Sequence, residues 1–198
     1  MPKNLLLALV LFFTVLSSMG QERLWTKQTS VSAVIAFEKE INPSPKFLSQ
    51  NVSLAKDYYP LSDKYECANP VIIQREPVGY LPLYAEYFFT PVDSILRLIS
   101  YDWEKDRYGN FFDKQKMWAE ESKKFEVYDK EYERIKKTLL SQLGEATASD
   151  MKAKEVSSGG GKYLARETVW DTNELKATLS MVFASSTYRI RLKLYWKK

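Results

Sequence analysis

The clearest periodicity lies near the C-terminal end. Leu175, Ala177, Leu179, Met181 and Phe183 alternate with mostly polar positions. After Ala184-Ser185-Ser186, the residues Tyr188, Ile190, Leu192, Leu194 and Trp196 repeat the pattern. A period of two sends successive side chains to opposite faces, so these runs predict two antiparallel strands with one buried face. Leu164 to Trp170 reads as a third strand, joined to them through a turn at Asp171-Thr172-Asn173.

A second alternating region lies upstream. Leu83, Ala85, Tyr87 and Phe89 share one face, with Tyr84, Glu86 and Phe88 on the other, and Ile95 to Trp103 follows with the same period. Between them, Thr90-Pro91-Val92-Asp93 suits a type I turn, because the ring of Pro91 presets φ at its first central position. The pair reads as a β-hairpin. Apolar residues on both faces place it centrally or under cover on both sides. Val71-Ile72-Ile73 predicts a further short strand.

Helical periodicity dominates one stretch. Phe125, Tyr128, Tyr132, Ile135, Leu139 and Leu143 step by three or four and form one apolar stripe, which Trp118 extends upstream. Gly144 stands where a glycine ends a helix. On the other face Glu120, Glu126 and Glu133 each precede a lysine by four residues, an order worth about 0.2–0.5 kcal/mol per pair. These acids therefore read as a solvated face rather than as catalytic carboxylates. A shorter helix is predicted over 30–41, from Ser30 as N-cap to the stop at Pro43.

Six of the eight prolines fall between Pro43 and Pro82, so the intervening chain is expected to be loop-rich. Val156 to Gly161, with three consecutive glycines, reads as a flexible connection. It is not a phosphate loop, because Tyr163 stands where that motif needs Ser or Thr after Lys162. The expected fold is α+β: an antiparallel sheet of about five strands on one long helix, in the order ββ-α-βββ, with a loop-rich N-terminal arm. Residues 21–80 form the arm and 81–198 the helix-on-sheet part, the two making one globular unit.

The first twenty residues read differently. Lys3 precedes an apolar run from Leu5 to Leu16, and Ser18 and Gly20 are small residues suited to cleavage before Gln21. This is the pattern of a secretory signal peptide, and the run is too short for a membrane anchor. The protein is expected to be exported, periplasmic or secreted, with no transmembrane span in the mature chain. Removing residues 1–20 removes Lys3 and no acid, so the formal charge falls from +4 to +3. That bias is too weak to suggest nucleic-acid binding.

Composition then narrows the chemistry. The chain has no His and one Cys, Cys67. Mechanisms built on His are excluded, as are an internal disulfide and a Cys-rich zinc site. No cofactor or metal is expected. Asn51-Val52-Ser53 is a glycosylation sequon, meaningful only in a eukaryotic source.

Two groups of residues are candidate binding elements. Arg189, Arg191, Lys193 and Lys197 form a ladder of cations on the outer face of the last strand, able to hold an anionic partner; the plainer reading is a solvated sheet face. Trp103, Tyr108, Phe111 and Phe112 interleave with charged residues as sugar- or peptide-binding platforms do; the plainer reading is a cover for the end of the core. The expected function is an exported, non-catalytic domain binding a protein or glycan partner. The alternatives are a carboxylate-dependent hydrolase, since a glycosidase can work with two acids alone, and a structural subunit of an envelope assembly.

Overall fold

The computed structural model describes residues 22–158 and 161–198. The expected signal segment, Gly159 and Gly160 lie outside the described residues. In chain order the elements are α1 (Val31–Ile41), β1 (Lys46–Leu48), β2 (Val71–Arg75), β3 (Leu83–Phe89), β4 (Leu96–Glu104), α2 (Phe111–Glu121), α3 (Phe125–Leu143), β5 (Ala148–Ser149), β6 (Lys154–Ser158), β7 (Gly161–Asp171), β8 (Leu175–Ala184) and β9 (Thr187–Trp196). The strands form one nine-stranded antiparallel sheet in the order β1-β2-β3-β4-β9-β8-β7-β5, with β6 also paired to β7.

This corrects the expected sheet of five strands on one long helix. The structure has nine strands and three helices among the described residues. Two physical reasons account for part of the difference. Edge strands need no apolar alternation, and β6 is the polar sequence Lys-Glu-Val-Ser-Ser, paired to β7 where a connection was expected. The Trp118 stripe is also not continuous with α3. It belongs to a separate helix, α2, whose N-terminus Asn110 caps by accepting the amide of Asp113 at 3.0 Å.

The edge beside β7 is interrupted between β5 and β6. Arg166, almost fully buried, fills the break by donating to the carbonyls of Asp150 at 3.2 Å and Met151 at 2.7 Å. The same guanidinium pairs with Asp129 at 2.8 Å and with Glu133, both on α3. One side chain thus supplies the missing ladder bonds and ties the helix to the sheet edge.

One sheet face is the main core. Tyr128, Tyr132, Ile135 and Leu139 of α3 pack on Leu179 and Met181 of β8, Ile190 and Leu192 of β9, and Tyr101 and Trp103 of β4. Fully burying each such side chain contributes about 1.5–3 kcal/mol of transfer free energy. The helix ends at Gly144, whose φ of 80° lies in the left-handed region that a side chain would strain. Val34 of α1 joins the same core.

The opposite face is covered over β3, β4 and β9 by irregular chain. Tyr59, Phe88 and Leu98 are buried together, with Val52, Leu54, Leu61, Tyr65, Cys67 and Tyr195 packed around them. The proline-rich segment before β2 is therefore a layer over the sheet. Among the described residues, no helix is long and apolar enough to cross a membrane.

Candidate functional site

The register of β4 on β9 sets charges against each other. Asp102 lies opposite Arg191, Glu104 opposite Arg189 and Ser100 opposite Lys193. All alternate with core residues, so they project from the face away from α3. Glu86 of β3 joins them, opposite Ser100. Glu86 and Asp102 are fully buried.

The loop after β4 closes over this cluster. Arg107 reaches back to Glu86 at 2.6 Å and to Asp102 at 3.4 Å, and the Tyr108 hydroxyl donates to Glu86 at 2.5 Å. The loop reverses at Asp106, which has a φ of 48°. Gly109 packs on the Asp106 carboxylate, where a Cβ would lie 1.6 Å from Oδ2. Arg191 donates to Asp102 at 2.5 Å. Ser100 donates to the other Asp102 oxygen at 2.9 Å and accepts from Tyr58 at 2.7 Å.

Protonation equilibria record the strain of this packing. Burial and the neighbouring Asp102 charge hold Glu86 above the usual carboxylate range, and burial does the same to Glu104. Burial works against the charge on Arg107 as well, but Asp102 and Glu86 outweigh it and keep the guanidinium firmly protonated. Arg189 and Lys193 are lowered, first by burial and then by Arg191. Glu86 Oε2 and Glu104 Oε2 are buried and accept no hydrogen bond among the described residues. Glu104 Oε2 has only the guanidiniums of Arg107 at 3.6 Å and Arg189 at 3.9 Å nearby.

A second region lies on the helical side, at the β1–β2 edge. A cleft of about 1130 Å³ runs between α1, β2, the last turn of α3 and the chain at 22–24. Leu24, Phe37, Ile41, Pro45, Ile73 and Val78 are its apolar lining, and polar and charged side chains, among them Arg23, Glu40, Glu76 and Gln142, make up the rest. Its buried carboxylates are already engaged. Glu38 takes both Nε and Nη2 of Arg75, at 2.8 and 2.5 Å, and accepts from Tyr87. Glu22 accepts from Trp103 Nε1 at 2.9 Å and Arg134 at 3.0 Å. Burial raises Glu22 above its ordinary value, and Arg134 opposes the shift.

The residues singled out from the sequence fall in different places. Trp103 is fully buried on the core face, on the other side of the sheet from Tyr108. Tyr108 is half-buried over Glu86 and packs edge-on to Tyr84 at 5.7 Å. Phe111 and Phe112 are 59% and 81% exposed at the start of α2, with Phe111 edge-on to Trp118. The structure brings Arg189, Arg191 and Lys193 together, while Lys197 pairs elsewhere, with Asp171. Sequence reading missed the acids facing these cations. The signal was present, because Asp102 and Glu104 share the strand phase of Ser100, but only the β4–β9 pairing brings them opposite the cations. The cleft had no local signal, since its lining comes from four separate segments.

Comparison with protein-family models, with curated proteins and with solved structures finds no match to this chain.

Proposed function

We propose that the chain is an exported, non-catalytic binding domain whose ligand enters the cleft at the β1–β2 edge. The observation that carries this reading is the cleft itself, in which apolar side chains are interspersed with polar and charged ones that can set orientation. A concave surface that combines apolar area with converging polar groups suits a small molecule with both kinds of surface. Its size and open form suit an elongated, largely apolar molecule with hydrogen-bonding groups at its ends.

The chemistry of the cleft favours binding over hydrolysis. A carboxylate hydrolase needs one acid free to give a proton and another free to attack or to activate water. Glu38 is clamped by Arg75, and Glu22 is shared between Arg134 and Trp103. Both serve as anchors for the surrounding chain.

The test is titration with the apolar fluorophore N-phenyl-1-naphthylamine. Saturable binding at one site per chain is expected. Ile41→Arg, which places a charge in the lining, and Ser141→Trp, which fills the cleft from α3, are each expected to weaken it at least about tenfold, since a tenfold change is only 1.4 kcal/mol. Unsaturable binding, or equal affinity in both variants, removes the cleft as the ligand site.

A further inference from the structure

The charged face has an imbalance that the cleft reading does not use. Three acids, Glu86, Asp102 and Glu104, face four cations, Arg107, Arg189, Arg191 and Lys193. Arg107 takes Glu86, and Arg191 takes Asp102. Arg189 has carboxylate oxygens only at 3.8 and 3.9 Å, too far for a hydrogen bond. Lys193 donates only to the Tyr58 carbonyl, at 3.1 Å. Arg189 is thus held beside Asp102 and Glu104 without a hydrogen bond to either, and Lys193 has no carboxylate within 4 Å among the described residues. Their lowered proton affinity agrees with that geometry.

The row borders an open part of the sheet. The loop after β4 and the arm at Tyr58 cover β3, β4 and one side of β9. On the next strand, β8, Thr178 and Ser180 lie opposite Lys193 and Arg191 and are half-buried. Thr178 makes no side-chain hydrogen bond among the described residues, and the Ser180 hydroxyl only leans on the Arg191 carbonyl at 3.5 Å. Beyond them Glu167 of β7, opposite Ser180, supplies a negative boundary.

We propose that Arg189, Arg191 and Lys193, together with Thr178 and Ser180, form a binding trough for an extended anionic glycan. Alternate residues on a strand repeat every 6.6–6.8 Å or so, which presents positive charge at regular steps along one line. The cations are recessed: the Arg189 and Arg191 side chains are only 25% and 14% exposed. Charge recessed in this way suits a slim polymer better than a flat lipid surface or a broad protein face. Its carboxylate or sulfate groups would supply the missing counter-charge to Arg189 and Lys193. Its hydroxyls would bond Thr178 and Ser180, and a sugar ring could lie beside Tyr58, already flanked by Arg191 at 5.1 Å and Lys193 at 4.9 Å. The trough lies on the opposite side of the sheet from the cleft, so neither proposal depends on the other.

The experiment measures binding of the whole protein to dextran sulfate and to polygalacturonate, with neutral dextran as control, at physiological salt. Salt-sensitive binding to at least one anionic polymer is expected. Arg189→Gln/Lys193→Gln should weaken it by about tenfold or more, while Lys130→Gln/Lys137→Gln, with the same charge change on exposed positions of α3, should alter it less than about twofold. Thr178→Trp, which obstructs the trough without changing charge, should also weaken it and serves if the double variant fails to fold. Equal losses in the two charge variants, no binding to either polymer, or equally tight binding to phosphatidylglycerol vesicles or polyglutamate would overturn the proposal.

Discussion

The two faces of the central sheet are built from the same strands by different physics. On the helical face, β4 and β9 present Ile99, Tyr101, Trp103, Ile190 and Leu192 to α3, and almost all of the contact is apolar. On the opposite face, the alternate residues of those same strands are Asp102, Glu104, Arg189 and Arg191, with Asp102 buried and the others partly covered by a loop and an arm without regular structure. A helix can cover a sheet through one apolar stripe, because its backbone is satisfied internally. Irregular chain has no such stripe: the arm rests on Phe88 and Leu98 through Tyr59, Leu54 and Leu61, and the loop over the charged residues is fastened by side-chain charge, Arg107 above all. The difference teaches what each face responds to: removed volume on one, unbalanced charge on the other.

The largest expected effect is on the helical face. Trp103→Ala removes a fully buried ring and takes a donor from Glu22, and should cost about 3–5 kcal/mol in a denaturant titration. Met181→Leu, which nearly conserves volume beside it, should cost less than about 1.5 kcal/mol. If the two cost the same, the apolar face is not packed as described.

A smaller effect separates the faces by pH. Glu86 and Glu104 have folded-state proton affinities raised by burial, above the ordinary value of 4.5. The folded protein therefore binds more protons than the unfolded chain in the window from 4.5 up to those raised values. Their contribution is complete below about 4.5 and is lost as pH rises through the raised values. Asp150 and Glu121 are lowered, Asp150 chiefly by its Lys154 bond; for Glu121 burial pushes upward, but bonds from Lys124, Tyr80 and Tyr128 win. Their stabilisation fades only at lower pH, as it falls through their depressed values. Chemical denaturation at several pH values should show that Glu104→Gln flattens the gain seen on acidifying from pH 7 towards 5. An unchanged slope would show that Glu104 is not held in the environment described.

The sequence was most legible where periodicity and burial coincide. The stripe from Phe125 to Leu143 and the alternation through β8 and β9 mark their elements, because one face of each is apolar and the other wet. Legibility failed where that contrast was absent. β6 has Val156 as its one apolar residue and so no alternation, and β5 is too short to carry a pattern. The helix stripe ran on to Trp118, although Ser122 to Lys124 separate two helices. Of the candidate residues, Trp103 sits with the core because its strand phase matches Tyr101, and Tyr108 with the charged face because the loop turns back at Asp106. The sequence shows Arg189 and Arg191 as cations, but it takes the β4–β9 register to show how far they are neutralised.

The most direct test of the two-face account is a double-mutant cycle on Asp102 and Arg191. Asp102→Asn changes almost no volume, yet it should cost about 3 kcal/mol or more, because it leaves buried guanidiniums uncompensated. Arg191→Gln should also destabilise by leaving Asp102 short of its closest partner. The double variant keeps the net charge of the cluster and should cost less than the two singles together, with a coupling of about 1–3 kcal/mol. Additive costs, or an Asp102→Asn protein as stable as the parent, would contradict the claim that the Asp102–Arg191 pair and its neighbours hold the second face.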